Sequence, residues 1–140
     1  GGQYFDLQSE GGVPTRAAME LMHRSKTGVI FTAIVQMAAL LAGVSDATMK
    51  ALTTYGDQLG LAFQITDDIL DVVGSEKEMG KPVGSDEKNH KTTYVSLLGV
   101  EGAREEAKQT TARALAALQE FDENAEFLRQ LVIYLEQRVQ

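Results

Sequence analysis

Apolar residues recur at helical spacing along most of this 140-residue chain, and no alternating run of useful length precedes Gly74. After a Gly-rich opening over residues 1–14, Pro14 suits a first helical position, where its missing N–H costs nothing. Ala18, Met19, Leu21 and Met22 then predict about three turns of helix. Residues 29–42 are apolar almost all round, which predicts a buried helix ended by Gly43 as its left-handed C′ residue. Ser45 or Asp46 should cap the next helix, which runs from Ala47 through Tyr55 towards residue 71, with a bend expected near Gly56 or Gly60. Residues 74–93 combine glycines, Pro82, acids and lysines and predict a loop. Apolar character returns at residues 94–98, and a helix from Glu101 carries a core stripe at Ala103, Ala107, Ala114, Leu115 and Leu118, with Arg104, Glu105, Glu106 and Lys108 solvated. Asn124 interrupts, and Phe127, Leu128, Leu131, Val132 and Leu135 predict a last amphipathic helix. The expected class is all-α.

Within this pattern the stretch GLAFQITDDILD, residues 60–71, sets three aspartates into an otherwise apolar run. At ~100° per residue, with Asp67 as zero, Asp71 falls near 40°, Gln64 near 60° and Asp68 near 100°. Leu61, Phe63, Ile65, Ile69, Leu70, Val72 and Val73 occupy the rest of the circumference. Carboxylates this close repel one another, and burying them unpaired costs more. A cation facing the stripe removes both costs. Oxygen ligands without His or Cys suit magnesium, so Asp67, Asp68 and Asp71 are the candidate metal ligands. A solvated acidic face would carry Lys or Glu as well, yet the only charges in residues 59–73 are these aspartates.

Length and a hydrophobic content of 44% support a globular chain, and a net charge of −7 argues against a nucleic-acid binder, which needs a basic stripe. With no cysteine there is neither a disulfide framework nor a thiolate metal site, in keeping with a reducing, cytoplasmic compartment. The longest apolar stretch, residues 29–42, is shorter than the ~20 residues a membrane span requires. The opening GGQYFDLQSE has no Met and reads as an entry partway through a longer protein.

Two further segments invite chemistry. Ser25, Lys26, Thr27 and Gly28 lie between two helices, where an ammonium and a hydroxyl are placed to meet a phosphate; an ordinary helix boundary reads the same way. Lys81, Lys88 and Lys91, with Asp86 among them, occupy the long loop directly after the carboxylate helix, and such loops are commonly functional or mobile. His23 and His90 stand apart from any ligand spacing.

Taken together, GGQYFDL at residues 1–7, KTG at 26–28, FQITDDILD at 63–71, GK at 80–81 and GSDEKNHKTTY at 84–94 resemble the trans-isoprenyl diphosphate synthases, most closely those that make farnesyl diphosphate in bacteria. The resemblance covers nearly the whole chain. It implies the C-terminal half of an all-helical isoprenoid synthase fold, with residues 1–140 as a single partial domain. It further implies Mg²⁺ bridging Asp67, Asp68 and Asp71 to an allylic diphosphate. Lys26 and Lys81 would bind that diphosphate with help from Lys91, Thr27 and Gln64 would face the reacting carbons, and Gln3 and Asp6 would lie near the substrate. In the reaction so implied, the allylic C–O bond ionises, the double bond of isopentenyl diphosphate attacks the cation, and a proton leaves to the released diphosphate.

One departure stands out. The family's first aspartate-rich motif precedes the GQ segment, and no second DDxxD occurs in these residues. The expectation is a fragment, inactive alone, whose partners are the missing N-terminal half or a second synthase chain, in a family that is mostly homodimeric. The alternatives are a non-catalytic synthase-like subunit and, less favoured, a class I terpene cyclase. Product length is not legible, because the residues that would set it belong to the absent half.

Overall fold

The computed structural model describes residues 15–17, 28–79 and 92–140, of which 76–79 are described by their backbone alone. Helix α1 spans Val29–Ala42, α2 Asp46–Met79, α3 Tyr94–Ala117 and α4 Glu126–Gln137, with a 3-10 turn at Glu123–Ala125 before α4. The all-α expectation holds: no strand is present among the described residues.

The α1–α2 connection follows its local chemistry. Gly43 adopts φ 66° and ψ 39°, and its N–H closes α1 onto Ala39 and Leu40. The hydroxyl of Ser45 accepts the N–H of Thr48 at 3.2 Å, capping the start of α2.

Helix α2 is the spine, at 34 residues, or roughly 50 Å of rise. Two expectations fail on it. No break falls at Gly56 or Gly60; these glycines instead let α1 approach backbone to backbone. A β-carbon on Gly60 would lie 2.7 Å from the α-carbon of Gly28, and one on Gly56 would lie 3.1 Å from that of Thr32. Polar rungs lock the same seam, Thr32 donating to Asp57 at 2.5 Å and Gln36 to Thr53 at 3.1 Å. Nor does the helix stop at Gly74. It runs on to Met79, because Glu76, Lys77, Glu78 and Met79 are strong helix formers that outweigh one glycine penalty of about 1 kcal/mol.

The buried face of α2 serves two clusters. Leu61, Ile65 and Ile69 pack with Tyr94, Ala103, Ala107 and Val139, while Tyr55, Leu59 and Ala62 pack with Ala114, Leu118, Val132 and Leu135. The Tyr55 hydroxyl donates to the carbonyl of Leu128 at 2.8 Å, tying α2 to α4.

Helix α3 opens on a capping box between Thr93 and Ser96 and is broken at Gly99, whose φ of 74° and ψ of 168° interrupt the helical path. The short first turn is thereby aimed separately from the main helix. The predicted core stripe is present, with Leu115 only partly buried. Glu106, expected in solvent, is buried at 3% exposure. Its carboxylate pairs with Arg113 at 3.4 Å and with Arg16, the latter arriving from ninety residues away in sequence.

Two apolar expectations also change. Phe127, assigned to the core stripe of α4, is 74% exposed, and Leu128 and Leu131 are only partly buried, so Val132 and Leu135 carry that contact. Helix α1, expected to be buried, packs one side on α2, and Ala39 is its one buried residue. Its outer side exposes Ile30, Ile34, Met37 and Leu41, the last at 89%. A helix apolar all round needs neighbours on both sides, and the described residues supply one.

Candidate functional site

The aspartates lie midway along α2, where the long helix passes the start of α3, and they do not share one environment. Asp67 and Asp71 are exposed, while Asp68 is 6% exposed. One Asp68 oxygen accepts the backbone N–H of Tyr94 at 2.9 Å and the other accepts the Gln64 amide at 3.0 Å. A carboxylate only accepts, so Gln64 must turn its nitrogen towards it. Burial pushes the Asp68 carboxyl up to about 6. The Tyr94 and Gln64 hydrogen bonds oppose that rise, and the charges of Asp67 and Asp71 add to it.

The expected stripe of three carboxylates is therefore a pair plus an inward-turned neighbour. Asp67 and Asp71 are one helical turn apart on the outer face, a spacing that suits a magnesium ion keeping several of its waters. Asp68, buried with a donor on each oxygen, fits that ion poorly. Among the described residues no three His, Asp or Glu side chains gather closely enough to cage a metal.

Phe63 joins the pair from one turn upstream. It is 38% exposed, and its ring lies 5.4 Å from that of Phe31 on α1, tilted by 45°. The same angular arithmetic that groups the aspartates places Phe63 about 40° from Asp67, although its apolar character suggests core. The outer face of α2 thus runs from an aromatic ring, in contact with Phe31 of α1, to two carboxylates. Gln64 is half-buried and engaged with Asp68. Lys26, Thr27, Gln3, Asp6, Lys81 and Lys91 lie outside the described residues. No described helix is long and apolar enough to cross a membrane.

Comparison with known proteins gives a consistent result. The profile of the polyprenyl synthetase family matches residues 1–134. A farnesyl diphosphate synthase of Geobacillus stearothermophilus is 45% identical over 74% of this chain and 35% of its own length. That of Escherichia coli (strain K12) is 41% identical over 89% of this chain and 42% of its own. In structure, an FPP/GFPP synthase from Zymomonas mobilis superposes with a TM-score of 0.71 at 31% identity, across 96% of this chain and 44% of that one. The chain therefore spans less than half the length of these relatives. With its helical architecture and the FQITDDILD segment on α2, this chain belongs to the polyprenyl synthetase family.

Proposed function

We propose that this chain supplies the diphosphate-holding half of a prenyltransferase site. There an allylic diphosphate, dimethylallyl or geranyl, condenses with isopentenyl diphosphate to give a longer prenyl diphosphate, farnesyl diphosphate by likeness to the named relatives. One observation carries the reading: the outer face of α2 passes from Phe63, whose ring packs on Phe31 of α1, to the exposed carboxylates of Asp67 and Asp71. A hydrocarbon chain ending in a polyanion matches that order, provided a cation joins the two negative partners.

Asp67 and Asp71 would hold Mg²⁺, which when bound supplies Lewis-acid stabilisation of the charge on a departing diphosphate. Lys26 and Lys81, assisted by Lys91, would supply ammonium groups to the diphosphate oxygens and lower the cost of separating it from the allylic carbon. In this reading Thr27 and Gln64 would offer oxygen dipoles to the reacting carbons, and Gln3 and Asp6 would serve the substrate. Phe63 and Phe31 would exclude water from the hydrocarbon. The remainder of the fold, supplied by a longer chain or a second synthase chain, covers α1 and completes the site in a homodimer. A cytoplasmic location belongs to the same proposal, supported by a sequence without cysteine.

Calorimetric titration of geranyl diphosphate into the chain tests the site. Binding is expected with Mg²⁺ and not with EDTA, and Asp67→Ala should weaken it at least ~10-fold, about 1.4 kcal/mol. Binding that ignores both the metal and the substitution contradicts the site. The short span relative to the relatives also suits a non-catalytic subunit that modulates a full-length synthase. In that case Asp67→Ala would leave its effect on the partner's turnover unchanged.

A further inference from the structure

We infer that Asp68 is a positioning residue and not a cation ligand: its carboxylate pins the start of α3 to α2 and fixes the rotation of α2 that turns Asp67 and Asp71 outward. This rests on reading Asp67 and Asp71 as the cation ligands.

The first support is the contrast along the helix. Asp68 is buried between two exposed aspartates, so its side chain leaves the face they share. The second is that each of its oxygens already has a donor, Tyr94 N–H at 2.9 Å and the Gln64 amide at 3.0 Å. Tyr94 is the first residue of α3, and its N–H is one of those that a helix start leaves without an intrahelical acceptor. Thr93 already accepts the N–H of Ser96. Asp68 serves another of these donors from a neighbouring helix, as a cap delivered through space.

The third support is rotational. Asp68 lies about 100° from Asp67 and about 60° from Asp71 around the helix. An anchor at Asp68 therefore sets the direction of both. Ile65 and Ile69 flank it on the buried side and pack in the cluster that contains Tyr94, so the polar anchor and the apolar contact hold the same rotation. The break at Gly99 frees the Tyr94 turn to meet Asp68 without dragging the main part of α3 with it.

The test uses the full chain, Mn²⁺ alone as the metal probe read by electron paramagnetic resonance, and amide exchange at Tyr94 read by NMR. In Asp68→Ala the Tyr94 amide should exchange at least ~10-fold faster, the loss expected for a hydrogen bond to a charged acceptor, and Mn²⁺ affinity should fall as α2 loses its rotational anchor. Asp68→Asn keeps an acceptor for Tyr94 without the charge, with Gln64 turning its oxygen to the new amide. It should restore both readouts to within about threefold of the parent. Asp67→Asn should cost Mn²⁺ affinity at least ~10-fold while leaving Tyr94 exchange unchanged. Loss of Mn²⁺ in Asp68→Asn matching that in Asp67→Asn overturns the inference, and so does Tyr94 exchange that Asp68→Ala does not alter. If circular dichroism shows Asp68→Ala unfolded, the Asn variant decides alone: retained Mn²⁺ binding supports positioning and lost binding overturns it. If Asp67→Asn and Asp71→Asn both leave Mn²⁺ binding intact, the ligand reading fails, and Tyr94 exchange still decides whether Asp68 positions α3.

Discussion

The α-carbon of Gly28 lies 2.7 Å from where a β-carbon on Gly60 would sit, so at this point the start of α1 and α2 meet backbone to backbone. Gly60→Ala should therefore destabilise by about 2 kcal/mol, because overpacking a rigid seam costs ~1–3 kcal/mol and exceeds the helix-propensity gain of about 1. Gly74 lies on the same helix, and a β-carbon there would meet nothing within 4 Å among the described residues. Gly74→Ala should stabilise by roughly 0.5–1 kcal/mol. Thermal melts of the two variants check the opposite signs; equal shifts would deny the close approach.

The buried Glu106 carries a second, independent prediction. Its partners Arg113 and Arg16 are half-exposed and keep their hydration, whereas Glu106 does not. Arg113→Met leaves a buried carboxylate with Arg16 alone and should cost about 2–3 kcal/mol, below the 3–5 of a fully broken buried pair. Glu106→Gln removes the buried charge while Arg113 keeps its hydrogen bonds to Gln58 and Thr110, and should cost about 1 kcal/mol. Urea unfolding of both variants and the double substitution measures the difference.

Tyr55 predicts the alkaline limb of stability. Burial pushes its phenol from 10.0 up to about 12. The folded chain therefore holds this proton more tightly than the unfolded chain does. The associated stability is complete below pH 10 and is lost as pH rises from 10 through 12, up to roughly 3 kcal/mol for a shift of this size. Tyr55→Phe, lacking the bond to Leu128, should cost about 1 kcal/mol at neutral pH and flatten that limb. Chemical unfolding at pH 9, 10.5 and 11.5 separates the two effects.

Much of this was legible in the sequence for local reasons. The Gly43 stop, the Ser45 cap and the shared outer face of Asp67 and Asp71 on α2 depend on residues within one or two turns, and helical arithmetic reaches that far. What escaped it depends on distant partners. Nothing near Glu106 announces that Arg16 will meet it, and nothing near Asp68 announces the N–H of Tyr94, so one was expected in solvent and the other beside its neighbours on a cation. Gly56 and Gly60 illustrate the same limit. A glycine in a helix reads as weakness until the backbone of another helix is known to press on it.

The exposed side of α1 predicts how the chain behaves alone and beside the N-terminal portion of a relative. Ile34→Glu and Leu41→Glu should raise the solubility of the chain alone, since they place charge on a bare apolar face. The same substitutions should weaken association with a complementary N-terminal portion of a relative. Size-exclusion chromatography of the co-expressed pair reads both; an undiminished complex would mean that another face is covered.

The most direct measurement joins this chain to the N-terminal portion of the Escherichia coli relative and supplies geranyl diphosphate, radiolabelled isopentenyl diphosphate and Mg²⁺. A labelled prenyl diphosphate longer by one isopentenyl unit is the predicted product, abolished by EDTA and cut by at least ~10²-fold in Asp67→Ala. A folded, co-purifying complex that forms no elongated product, or one whose turnover is indifferent to Asp67→Ala, would contradict the assignment of this face of α2 to prenyl transfer.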